Sequence, residues 1–248
     1  MINRNKVTEV FDEYVSAYNT SDPKIKLKID HTYRVADLCE VIAGNVGYDK
    51  DLAWLSGMFH DIGRFEQVKR YNTFVDAQSV DHAYLSGEIL FEEGLYDRFE
   101  VCLDDEQLRI LKKAIKNHSA YRLEEGLSDT EKAYCNILRD ADKIDIFRIN
   151  CDTPLEDIYN VTTDELRNSK VSEEVKQCFI NKTAVLRSLK KYPADYVAAH
   201  ICLVFELVYP ISKEIAKEQG YVEKLLNFQS DNSDTKEWFN YMKGNIWK

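Results

Sequence analysis

The sequence predicts an all-α protein, and three observations support this. Apolar residues recur at helical spacing along almost the whole chain, and no run of residues alternates between apolar and polar as a half-buried strand does. Only nine glycines and four prolines occur in 248 residues, which is few for a turn-rich all-β fold. Hydrophobic residues make up 44% of the chain, which is enough for a core and excludes general disorder.

The first two helices are predicted from apolar periodicity and from their end signals. An amphipathic pattern over 7–18 predicts the first helix. The second is expected to begin at Pro23, because Asp22 is a capping candidate and proline is favoured at the first helical position. We expect Gly44 and Gly47 to stop it.

The helical pattern continues through the first half of the chain. The polar segment 64–78 interrupts it and is interpreted as a loop. The further helices are expected at about 51–60, 81–93, 105–118 and 130–150.

Beyond Pro154 the same period predicts accessory helices. They are expected near 172–190, over 194–219 with a kink at Pro210, near 221–228 and at the end of the chain. Their strong apolar faces favour packing on the same core. We therefore expect a single domain over 1–248, with a helical accessory region at about 151–248; a domain break near residue 150 is the alternative.

The charge balance restricts the partners. The chain has 33 basic and 43 acidic side chains, a net charge of −10, so it lacks the positive charge that displaces counterions from a nucleic-acid backbone. A small anionic ligand still fits, because it needs only a few local cations and a metal. The charged start is unlike a signal peptide, and the longest apolar stretch, 196–209, is too short and polar to span a membrane. We expect a cytoplasmic protein without a membrane partner.

The histidines are the main candidates for chemistry. No G-x-x-x-x-G-K-[ST], G-x-G-x-x-G or G-x-S-x-G motif is present, so glycine-loop nucleotide binding and serine hydrolase chemistry lose support. His31, His60, His82 and His118 fall one per predicted helix or helix end in the first half of the chain. His200 has apolar neighbours and is expected to be a hydrogen-bonded core residue.

Two carboxylates accompany these histidines. Asp61 directly follows His60 at a helix end, where the two side chains share a ligand most easily. Asp142 lies in the apolar stripe of the 130–150 helix, and a buried carboxylate needs a partner or a bound cation. Imidazole and carboxylate are ligands that divalent transition metals accept. The pattern therefore indicates a metal site.

These residues resemble the metal signature of the HD-domain superfamily. FHDIGRFEQ at 59–67 and LRDADKIDIF at 138–147 are similar to its two strongest local motifs. His82 and His118 match the longer H…HD…H…H…D pattern of the dinuclear members. The resemblance covers about residues 25–150. The chain lacks the Gly-Tyr-Pro triplet of those superfamily members that act on cyclic dinucleotides.

The resemblance implies a helical centre for two divalent cations, drawn from Fe, Mn, Ni, Co, Zn and Mg. The first would be held by His31, His60, Asp61 and Asp142, and the second by His82, His118 and a bridging Asp61. Asp61 would also hold the nucleophilic water, while Arg64 and Lys143 would neutralise phosphate oxygens. With a single cation, His82 and His118 would instead contact the substrate or transfer protons.

The function that the resemblance implies is a metal-dependent phosphohydrolase, either a phosphomonoesterase or a phosphodiesterase, acting on a small phosphorylated metabolite or nucleotide. Two alternatives stay open: a diiron oxygenase on the same scaffold, and a non-catalytic metal-binding sensor. The ligand set is common to the hydrolase and the oxygenase. Arg64 and Lys143 favour the hydrolase, because cationic side chains suit a phosphate group.

Overall fold

The computed structural model describes residues 2–248, apart from the side chain of Asp157, and contains no β-strand within that range. The predicted all-α class is confirmed. The chain separates into two compact units, an N-terminal unit up to Asp142 and a C-terminal unit from Lys143 onwards. The grouping of the whole chain into one domain stays a prediction.

The N-terminal unit is built from eight helices within the described residues, the last of which continues into the C-terminal unit. They are α1 (Arg4–Ser16), α2 (Pro23–Val46), α3 (Lys50–Phe59), α4 (Ile62–Tyr71), α5 (His82–Gly87), α6 (Leu95–Arg98), α7 (Asp105–Asn117) and α8 (Asp129–Asp152). A single π-helical turn, Glu88–Glu92, extends α5 towards Gly94, close to the predicted end of that helix.

Helix α2 begins as predicted but passes through Gly44. The side chain of Asp22 accepts a hydrogen bond from the Lys24 N–H, and Pro23 occupies the first position. The helix ends at Val46 because Gly47 adopts a φ of 81°, the left-handed conformation that closes many helices. The expected stop at Gly44 is wrong, since a glycine inside a helix costs only about 1 kcal/mol.

Helices α2 and α3 pack at very short distance because of Gly57. A Cβ atom at Gly57 would lie 2.5 Å from the Cα atom of Ala36, so only glycine permits this approach. The residues around the contact, Val35 and Ala36, are fully buried. This packing brings His31 on α2 close to His60 at the end of α3.

Segment 64–78 is not a loop throughout, because α4 occupies its first half. The apolar stripe of α4 consists of Ile62, Phe65 and Val68, which is a short signal in a polar sequence. Gln67 also faces inward. It is fully buried, and its amide makes hydrogen bonds instead of apolar contacts. Periodicity therefore missed this helix.

The C-terminal unit consists of shorter helices than the sequence predicts. They are α9 (Leu155–Tyr159), α10 (Thr163–Asn168), α11 (Glu173–Ile180), α12 (Pro193–Cys202), α13 (Pro210–Gln219), α14 (Tyr221–Leu226) and α15 (Ser233–Asn245). The predicted kinked helix over 194–219 is in fact two helices. Tyr209 is extended (ψ 140°) because the residue before a proline is forced out of the helical region.

Two further sequence predictions concern single features. His200 is half-buried, and its Nδ1 atom lies 2.8 Å from the Tyr159 hydroxyl, as expected for a hydrogen-bonded core histidine. Among the described helices, none combines the length and the apolar character that a membrane span requires.

Candidate metal centre

Six side chains from helices and helix ends meet in the N-terminal unit. They are His31 on α2, His60 directly after α3, Asp61 directly before α4, His82 at the start of α5, His118 directly after α7, and Asp142 on α8. The histidines and Asp61 are buried, while the Asp142 side chain is 16% exposed. The convergence expected from the sequence is therefore present in the fold.

The first group consists of His31, His60 and Asp142. The Nε2 atoms of His31 and His60 are 3.3 Å apart. Oδ1 of Asp142 lies 3.1 Å from His31 Nε2 and 4.0 Å from His60 Nε2. The three atoms are close enough together to bind one cation.

The second group consists of His82, His118 and Asp61. The two Nε2 atoms are 2.9 Å apart, and Oδ1 of Asp61 lies 3.5 Å from that of His82 and 3.6 Å from that of His118. These three atoms also suit one cation.

Asp61 joins the two groups through its two oxygens. While Oδ1 faces the second group, Oδ2 lies 3.6 Å from His31 Nε2 and 3.4 Å from His60 Nε2. A carboxylate placed between two sets of nitrogen ligands has the arrangement of a bridging ligand. This geometry agrees with the bridging role that the resemblance implies for Asp61.

Hydrogen bonds set the ring orientation of three histidines. The contacts join His60 Nδ1 to Gly57 O (2.6 Å), His118 Nδ1 to Ile115 O (2.7 Å) and His82 Nδ1 to Asp76 Oδ2 (2.8 Å). Carbonyl and carboxylate oxygens only accept, so each Nδ1 carries a hydrogen, and in the neutral form that binds a metal each Nε2 turns a lone pair to the centre. At 2.9 Å, the lone pairs of His82 and His118 repel unless a cation lies with them. The donor set thus fits a divalent metal ion.

Both carboxylates are held in the ionised form that binds metals. Burial raises the pKa of Asp61, but Lys28 and His60 outweigh it and leave the pKa well below its ordinary value. Burial acts on Asp142 in the same direction, and the hydrogen bond and charge of His31 outweigh it, so this pKa is also strongly lowered. The two carboxylates are therefore negative at neutral pH.

His82 is held neutral by its surroundings. Burial lowers its pKa to about 4, although the hydrogen bond to Asp76 acts in the opposite direction. A neutral imidazole is the form that coordinates a metal ion.

Gly63 and Ser86 place His82 opposite Asp61. A Cβ atom at Gly63 would lie 2.6 Å from both His82 O and Ser86 N, so glycine is needed where α4 meets α5. The Gly63 N–H donates to Ser86 Oγ at 2.8 Å, and this oxygen lies 2.9 Å from His60 O and 2.8 Å from His82 O. Ser86 carries no signal in the sequence, because its role depends on this packing.

Asp76 is a further residue that sequence reasoning missed. Its Oδ2 accepts the hydrogen bond from His82 Nδ1, and its Oδ1 accepts from Arg64 Nη1 at 2.9 Å and Gln67 Nε2 at 3.0 Å. A carboxylate that binds the far nitrogen of a metal-ligating histidine orients the ring and raises its basicity. No spacing in the sequence signals this, because the contact requires the loop after α4 to fold back.

We expect Asp76→Asn to weaken the binding of the second cation by about 10- to 100-fold and to leave the first unchanged. The amide keeps the shape but no longer accepts at both oxygens, so the His82 ring loses its fixed orientation. Chelator competition with Mn²⁺ on stripped protein measures both affinities. Asp81→Asn is the matched control, because Asp81 caps α5 beside His82 and asparagine caps equally well. Equal weakening in both variants would assign the effect to the lost charge.

Arg64 and Lys143, the two side chains predicted to bind phosphate, differ in their surroundings. Arg64 Nη1 donates to Gln67 Oε1, Phe74 O and Asp76 Oδ1, at 2.7 to 2.9 Å, so this nitrogen fastens the loop. Its Nε lies 3.6 Å from Asp61 Oδ1 and makes no hydrogen bond. Lys143 is buried and follows Asp142 on α8. The roles of Arg64 and Lys143 towards phosphate stay predictions.

Lys28 is a cation of the centre that the sequence analysis did not single out. It lies on α2 one turn before His31, and its Nζ atom is 2.6 Å from Asp61 Oδ2. The sequence contained one signal for this residue: Lys28 precedes the candidate ligand His31 by three positions, and residues i and i+3 share one face of a helix.

One of three comparisons with known proteins found a similarity in the region of this centre. Neither the curated proteins nor the solved structures contain a match to the chain. The family model of the HD domain matches residues 29–146, which include all six side chains of the centre. HD domains bind divalent metals, and the superfamily is one of metal-dependent phosphohydrolases. The resemblance seen in the sequence is thus confirmed, since residues 29–146 match the HD-domain family and contain a His/Asp cluster compatible with an HD metal site.

Proposed function

We propose that the protein is a phosphohydrolase that binds two divalent cations and cleaves a phosphomonoester or phosphodiester of a small metabolite or nucleotide. The observation that carries this proposal is the charge of the centre. With metal bound, the four imidazoles would act as neutral ligands, the two carboxylates contribute two negative charges, and two divalent cations would contribute four positive ones. The excess is positive, and an anionic substrate compensates it.

The basic side chains beside Asp61 increase this excess. Lys28 and Arg64 lie near its two oxygens, at 2.6 and 3.6 Å, and both are largely buried. Asp76 cancels one of the two charges. A positive field of this kind suits the anionic oxygens of a phosphate group better than an uncharged organic substrate.

The chain supplies binding and orientation for the reaction. Bound divalent cations provide a nucleophile from water at neutral pH and polarise the phosphoryl group. Asp61 lies between the two ligand groups, and the backbone and Asp76 hold the histidine rings by their Nδ1 atoms. Lys28 and Arg64 lie beside Asp61, where they would stabilise the charge that develops on the phosphoryl oxygens. No serine or cysteine nucleophile is needed.

Stripping and reconstituting the metal tests this function. Chelator-treated protein is expected to release no phosphate from esters and to regain that activity with Mn²⁺, Co²⁺, Ni²⁺ or Fe²⁺, because the ligands need a cation to activate water. A panel of phosphomonoesters and phosphodiesters is assayed for phosphate or alcohol release. Asp142→Asn protein, purified identically, controls for contaminating phosphatases and should be inactive.

Two other results would reject the hydrolase. Oxygen uptake with an organic substrate by the iron-loaded protein, without hydrolysis of any ester, would favour the diiron oxygenase. Metal binding without either reaction would favour the non-catalytic sensor.

A further inference from the structure

The ion pair between Lys28 and Asp61 occupies a carboxylate oxygen that a metal ion would also need as a ligand. Lys28 Nζ is 2.6 Å from Asp61 Oδ2, and these side chains are 14% and 2% exposed. The same oxygen faces His31 Nε2 and His60 Nε2, at 3.6 and 3.4 Å. An ammonium group and a divalent cation on one buried oxygen repel each other strongly. The two therefore compete for Asp61.

Lys28 is able to move, whereas the other cation of the centre is held in place. Among the residues that the structure describes, its ring contact is with Phe74, whose centroid lies 5.7 Å from Nζ, and its stem has four rotatable carbons. Arg64 is fastened by three hydrogen bonds at Nη1. The two side chains are equally exposed, at 14%, so the difference between them lies in these hydrogen bonds.

We propose that Lys28 is an exchangeable counter-ion: it neutralises Asp61 in the metal-free protein, gives up Oδ2 to the first cation, and then binds an anionic phosphoryl oxygen of the substrate. The exchange step depends only on the geometry of Lys28 and Asp61. The last step rests on the proposed phosphohydrolase function. A lysine suits both steps, since its ammonium is a compact charge that pairs with carboxylate or phosphate alike.

A different role for Lys28 predicts the opposite sign. A residue that merely orients a ligand carboxylate supports the metal, and its loss weakens metal binding by about 10- to 100-fold. An exchangeable counter-ion competes with the metal, and its loss tightens metal binding. Metal affinity therefore separates the two roles without any assay of activity.

The experiment uses Lys28→Met and Lys28→Gln in the full chain, purified with Mn²⁺ and then stripped. We expect both variants to bind the first Mn²⁺ about tenfold more tightly than the wild type in chelator competition. Lys28→Arg keeps the charge and should stay close to the wild type. Lys26→Met removes an exposed lysine from the same helix and should have no effect. The glutamine of Lys28→Gln still donates a hydrogen bond to Asp61. This variant therefore keeps the test valid if Lys28→Met does not fold.

The second measurement is the binding of inorganic phosphate to the Mn²⁺-loaded proteins by calorimetry. We expect Lys28→Met and Lys28→Gln to bind phosphate about tenfold more weakly, since a charge-assisted contact is lost. Unchanged or weakened metal affinity in both variants would overturn the exchange step. Tighter metal binding with unchanged phosphate binding would overturn the last step. Wild-type protein that binds Mn²⁺ but no phosphate would overturn the last step together with the proposed function, while the exchange step would stand on the metal affinities.

Discussion

Asp61→Ala protein is expected to bind neither cation and to lose all hydrolytic activity, whereas His82→Ala or His118→Ala protein should retain one cation. The reason is the position of Asp61, whose Oδ2 faces His31 and His60 while its Oδ1 faces His82 and His118. The loss of a single partner commonly lowers metal affinity by about 10- to 100-fold, and Asp61→Ala incurs this loss at both sites. Elemental analysis of metal-saturated protein gives the stoichiometry.

Asp61→Asn is the matched variant, because it preserves the volume of the side chain and removes only the charge. It should behave as Asp61→Ala does, which excludes a cavity as the cause. The dinuclear interpretation fails if saturated wild-type protein binds one cation and the His82 and His118 variants bind that same one. These histidines would then contact the substrate instead.

The candidate metal ligands could be predicted from the sequence, most directly where they lie in local motifs. His60 and Asp61 are adjacent, and Asp142 lies within a recognisable helical motif, so short stretches of chain carry the signal. Lys28 and Asp76 were not identified, since their roles arise from contacts with Asp61 and His82 across 33 and 6 residues. Sequence motifs thus indicate which residues are candidate metal ligands but not which other side chains contact those ligands.

The helices were predictable where burial is apolar and were missed where it is polar. α1, α7 and α8 follow clear apolar stripes. α4 was missed because its inward face includes Gln67, whose amide makes hydrogen bonds to Asp76, Ser79 and Val80. A polar residue at a core position carries no hydrophobic period, even though satisfying its hydrogen bonds stabilises the helix.

The end of α7, which carries His118, depends on one buried arginine. Arg139 is 8% exposed, and its Nη1 donates to the carbonyl oxygens of Asn117 at 3.1 Å, His118 at 3.4 Å and Ala120. Carbonyls at the end of a helix lack intrahelical partners; Asn117 O also accepts from the Ala120 N–H at 3.3 Å, so the guanidinium matters most for the carbonyls of His118 and Ala120. The arginine of the LRDADKIDIF motif is thereby linked to the second ligand group, since it fixes the backbone of His118.

Arg139→Met is therefore expected to lower the free energy of opening of α7 by about 3 kcal/mol, because methionine removes the guanidinium donor from the carbonyls of His118 and Ala120. Hydrogen exchange of the peptide 105–120, followed by mass spectrometry on stripped protein, measures this opening. The second cation should bind more weakly in the same variant, since the position of His118 depends on the end of α7.

The control for this variant is Arg109→Met on the same helix. Arg109 is 57% exposed and lies 3.5 Å from Glu131, and an exposed ion pair contributes at most about 1 kcal/mol. Faster exchange over 105–120 in the Arg139 variant alone would attribute the stability of this helix end to the buried guanidinium. Equal exchange in both variants would mean that water satisfies the carbonyls of Asn117 and His118 once the arginine is gone, and that His118 is positioned by its Nδ1 hydrogen bond to Ile115.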